Sequence, residues 1–85
     1  GNPETVFAMK GIALADVQLL GTSGEHLQMK IASRPAIRAI WWRHGDDIEK
    51  LRGASSKKFD IKFRIEVSSY GIRHPVLNLI DICES

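Results

Sequence analysis

The stretch KFDIKFRIEV at residues 58–67 alternates without a break: Phe59, Ile61, Phe63, Ile65 and Val67 stand on one side, Lys58, Asp60, Lys62, Arg64 and Glu66 on the other. Successive side chains of a strand point to opposite faces, so this is a long strand with one apolar face turned to a core and one face in water. A lone strand has nothing to bury that face against, so partners must lie on either side. Upstream, HLQMKIA at 26–32 has the same period, with Leu27, Met29 and Ile31 opposed to His26, Gln28 and Lys30. AIRAIWWR at 36–43 and VLNLIDI at 76–82 are further runs of strand formers.

The connecting segments carry their own signals. Residues 6–20 mix apolar and β-branched side chains around Gly11, which predicts one long strand bent at a glycine or bulge. GTSGE at 21–25 closes a hairpin, and Pro35 interrupts the pattern before the third strand. In GDDIEKLRG at 45–53, Asp46 and Glu49 have capping-box spacing, Ile48 and Leu51 are three apart, and Gly53 ends the run, which predicts a short helix. SSYGIRHP at 68–75 is a turn. The order β-β-β-α-β-β is that of an OB-fold, a five-stranded Greek-key barrel.

Eighty-five residues make one domain, 1–85, of a size that buries about 60–65% of the surface its unfolded chain exposes. A hydrophobic content of 44% with 26% charged residues is that of a folded domain rather than a disordered one. Twelve Lys and Arg against ten Asp and Glu leave a net charge of +2, too small to announce a nucleic-acid binder, so the distribution of charge has to carry that question. Cys83, the single cysteine, excludes an internal disulfide and fits a reducing, cytoplasmic setting. No apolar run approaches membrane-spanning length, which sets aside a helical membrane anchor.

With the elements in order, the sequence resembles the OB domain of the RecJ single-strand exonucleases. The resembling pieces are GNPETVF at 1–7, then GIALADV, HLQMKI, AIRAIWW, FDIKFRIEV and LNLIDI, in the family's order. In that family a GNPEP.F segment leads from a catalytic core into the barrel. The resemblance therefore implies that residues 1–5 are the join to a nuclease core, consistent with an opening Asn2-Pro3 turn and no initiator Met. It implies a parent that degrades single-stranded DNA from the 5′ end in repair and recombination, using Mg or Mn held by motifs outside these residues. It implies for this chain a single-stranded-DNA-binding role without cofactor, with the remaining nuclease domains as its other partner. The family also tends to have an aromatic at Trp42, a smaller residue at Trp41, and often an acid at the site of Arg38.

OB-folds bind on the face of strands two and three and on the loops beside it, where aromatic rings stack on bases and cations meet phosphates. Trp41 and Trp42 are adjacent and must point to opposite faces. On the family's pattern Trp42 goes to the core, which leaves Trp41 to stack on bases or to pack against a neighbouring domain or the first strand. Gln28, Lys30 and Arg43 line a phosphate track or a merely solvated face. Tyr70 and Arg73, in the last hairpin loop, stack and pair with phosphate, or Tyr70 closes the barrel end.

Catalytic chemistry has no footing in the sequence. His26, His44 and His74 are scattered, Cys83 has no ligand-spaced partner, and Asp46 and Asp47 begin a helix, where negative charge suits the dipole. No phosphate loop or nucleophile motif occurs. The expected function is DNA binding; the alternative is a structural or protein-interaction domain that braces the nuclease core or docks a repair partner.

Overall fold

A computed structural model describes residues 5–66 and 75–85. Among them are six strands: β1 Phe7–Ile12, β2 Leu14–Leu20, β3 His26–Ile31, β4 Arg34–Trp41, β5 Phe59–Glu66 and β6 Val76–Glu84. They form one sheet in the order β1-β5-β6-β4-β3-β2, antiparallel except where β4 runs parallel to β6. The two outermost strands are joined through Ala13 alone. A sheet whose ends are one continuous piece of chain has to curl round, and the result is the expected OB-like barrel.

The predicted long first strand is thus two short ones, and its break is local chemistry. Gly11 has φ +63°, a conformation that only glycine adopts without strain, and Asp16 has φ 51°. The pairing register shifts beside both, between Met9 and Ile12 and between Ala15 and Gln18. These bulges bend the strand so that one half reaches β5 and the other β3. The Asp60 carboxylate accepts the Gly11 N–H at 2.9 Å, a donor the bulge takes out of the ladder.

Leu14, Leu27, Met29, Ile31, Phe59 and Ile61 are almost wholly buried and form the centre of the core, with Ala39, Trp41, Phe63, Leu77 and Leu79 around them. The alternation read in β5 holds through Phe63. Ile65 departs from it and is exposed. Pairing between β1 and β5 stops at Phe7 opposite Phe63, so Ile65 stands past the end of the neighbouring strand and, among the described strands, pairs only with β6. Val67 lies outside the described residues.

The helix after β4 is a 3₁₀ helix, Gly45–Leu51, followed by a second short one, Ala54–Ser56. The capping box does not form: the first helix has no side-chain cap, and Asp47 turns back to His44 instead. The side-chain pairs His44–Asp47, Asp47–Lys50 and Glu49–Arg52 are each three apart, a spacing that eclipses in 3₁₀ geometry. Gly45 donates its N–H to the Glu25 carbonyl at 2.9 Å, and a Cβ there would run into the Gly24 backbone. The β2–β3 turn and the helix start are therefore packed backbone against backbone.

Candidate nucleic-acid interface

Cross-strand partners share a face, so the register maps the outer surface of the barrel residue by residue. One row runs Gln18, Gln28, Ile40, Asn78, Arg64 across β2, β3, β4, β6 and β5. A second runs Lys30, Arg38, Val76, Glu66 across β3, β4, β6 and β5. On the other flank of the first row stand His26, opposite Leu20, and Trp42, just past the end of β4. The middle of this face, Gln28–Ile40–Asn78, is uncharged, with Lys30, Arg38 and the Glu66 carboxylate on one side and an indole on the other.

The tryptophans are reversed from the expectation. Trp41 is 6% exposed and belongs to the core, whereas Trp42 is 46% exposed on the outer face. The register gives the reason: Trp41 is opposite Leu27, and Ala39 opposite Met29, all inside, while Arg38 is opposite Lys30 outside. Trp42 has the parity of Arg38 and must share its side. That signal was present in the sequence, since a charged residue four positions upstream on the same face marks the solvated one. The pattern of a related family was a poorer guide than the parity of the chain itself.

Trp42 is held by two neighbours. Its Nε1–H donates to Asn78 Oδ1 at 2.9 Å, and Asn78 Nδ2 donates to Glu66 Oε2 at 3.1 Å. The His26 ring meets the indole in a T-shaped contact at 4.9 Å. Because Asn78 is the register partner of Ile40, the Trp42 Nε1–H reaches back along β4 to the level of Ile40, which is itself only 8% exposed on an outer face.

Among the other expected site residues, Gln28 and Lys30 are on this face, Lys30 within 3.6 Å of the Asp16 carboxylate. Arg43 is exposed beside Trp42 with φ 64°, its backbone N–H donating to His26 Nδ1 at 2.7 Å. That bond leaves the neutral imidazole with its proton on Nε2. Tyr70 and Arg73 lie outside the described residues. The reading from sequence missed Trp42, Arg38, Ile40 and Asn78. Among the described residues, no three His, Cys, Asp or Glu side chains converge as a metal site, and no helix is long and apolar enough to cross a membrane.

A curled six-strand sheet closed through a bulged first strand, with a polar and aromatic face on the strands after it, defines an OB module. The family model described as the RecJ OB domain matches residues 1–81, and the chain belongs to that family. No curated protein matches it.

Proposed function

We propose that this chain is the single-stranded-DNA-binding module of a RecJ-like 5′–3′ exonuclease, guiding the strand to an active site outside these residues. Residues 1–5 lead in from the nuclease body, and the cytoplasm is the compartment of action. Membership of the RecJ OB domain family supports a nucleic-acid-binding role. The observation that carries the reading is Trp42, an exposed indole beside an uncharged row flanked by Lys30, Arg38 and Arg43. Bases lie over Trp42 and beside Gln28, and phosphates face the cations; such a surface accepts any sequence, as a nuclease requires. Gln28 lines the row, and Tyr70 and Arg73 add further contacts with the strand. Titration of a labelled oligothymidylate at two salt concentrations tests this. Binding that weakens with salt is expected, and no binding at low salt would overturn it.

A second reading has its own observation. Val6, Phe7 and Ile65 are exposed apolar side chains at the entry of the first strand, and Phe7 and Ile65 line one groove. A domain that braces the nuclease body would cover such side chains. Ile65→Ser would then loosen attachment to that body without changing affinity for DNA.

A further inference from the structure

The Trp42 contacts assign a role to two residues that touch no base in the reading above. We infer that Asn78, itself oriented by Glu66, is a positioning residue that turns the Trp42 indole into a fixed, sequence-indifferent stacking surface; this rests on Trp42 being the base-stacking side chain. An exposed tryptophan on a strand ordinarily samples several rotamers, and binding a base then has to select one. Here the Nε1–H bond to Asn78 removes that freedom before any strand arrives. Asn78 cannot reverse its amide, because Glu66 accepts only from Nδ2 and thereby keeps Oδ1 facing the indole. The ring's one polar group is spent inside the protein, so what it offers a ligand is its π-face. Every base has a face that stacks on it, whereas a free indole N–H would favour bases with an acceptor at the right edge.

The test is a double-mutant cycle on the 85-residue chain, with oligothymidylate and oligodeoxyadenylate as probes. Asn78→Leu keeps the branched shape of the side chain and removes the hydrogen bonds; Asn78→Ala is the second variant, and melting curves confirm that each folds. Trp42→Phe keeps an aromatic face and removes the N–H. Asn78→Leu should weaken binding about threefold to tenfold in the Trp42 chain and less than about twofold in the Trp42→Phe chain. In the free protein it should also speed exchange of the Trp42 indole proton.

Equal weakening in both backgrounds would mean that Asn78 itself touches DNA, and would overturn the positioning role. No weakening by Asn78→Leu, with Trp42→Ala still harmful, would overturn it while leaving the binding face intact. If Trp42→Ala changes nothing, or the parent chain binds neither probe, the functional reading fails and this inference fails with it.

Discussion

The inner and outer faces at the end of β4 use the same amino acid, one residue apart, in opposite ways. Trp41 fills the barrel end: its ring lies parallel to His44 at 4.1 Å and it joins the buried cluster. Its Nε1–H is buried and unpaired among the described residues. Trp42 is exposed, yet its Nε1–H is paired with Asn78. The polar tip is satisfied where water could have served and orphaned where water cannot reach. An orphaned donor costs about 1–3 kcal/mol, which is tolerable only for a side chain whose packing returns more. Trp41 is therefore used for bulk, and Trp42 for a held orientation.

The strongest way to break this contrast is truncation on the inner side. Trp41→Ala should destabilise the domain by about 3–5 kcal/mol, because it opens a cavity under His44. A shift of this size corresponds to about 4–8 °C per kcal/mol for a domain of this length, so thermal melting will resolve it. Trp41→Phe keeps much of the bulk and removes the orphaned donor, and should cost less. A melting transition that is unchanged in Trp41→Ala would dissolve the inner half of the comparison.

The outer side should respond in binding instead. Trp42→Ala should leave melting nearly in place and weaken single-strand affinity by about 1–3 kcal/mol, with the salt slope unaltered because stacking releases no counterions. Arg38→Ala should do something smaller and different: it should lower the salt slope by about 0.7 and weaken all sequences alike. Arg38 is the better test than Lys30, since among the described residues Lys30 already has Asp16 beside it and Arg38 makes no ion pair. A salt slope untouched in Arg38→Ala would move the phosphate track off the second row.

How much of this could be read in advance follows from what each feature depends on. The barrel was legible because β3 and β5 alternate strictly, and because Gly11 marks the place where the first strand has to bend. The 3₁₀ character of the helix was not, since it depends on Gly45 being pinned to the β2–β3 turn, a contact between residues twenty apart. Gln28 and Lys30 could be placed outside from the period of their own strand. Asn78 could not be linked to Trp42 by any local pattern; only the parallel register of β4 with β6 brings them together. The exposure of Ile65 likewise depends on where β1 stops, which the alternation in β5 does not encode.

The smallest effect expected lies on the inner side again, at the helix that covers Trp41. Asp47 accepts from His44 Nδ1 at 2.6 Å and pairs with Lys50 at 3.1 Å, and its carboxyl is held below the ordinary value, first by the His44 hydrogen bond and then by Lys50. A carboxyl with a lowered folded-state pKa adds stability that is fully present above its unfolded value and is lost as pH falls through the folded one. The unfolded value is 3.8, so the window lies below that. Asn at this position cannot ionise. The melting difference between the parent chain and Asp47→Asn seen at about pH 5 should therefore narrow below about pH 4. Melts across that range measure it, and a difference that does not narrow would detach Asp47 from the support of the Trp41–His44 stack. Affinity for single strands at neutral pH should be the same in both chains, because the Asp47–His44–Trp41 line ends in the core, and the surface proposed to meet DNA is held from the other side, through Asn78 and Glu66.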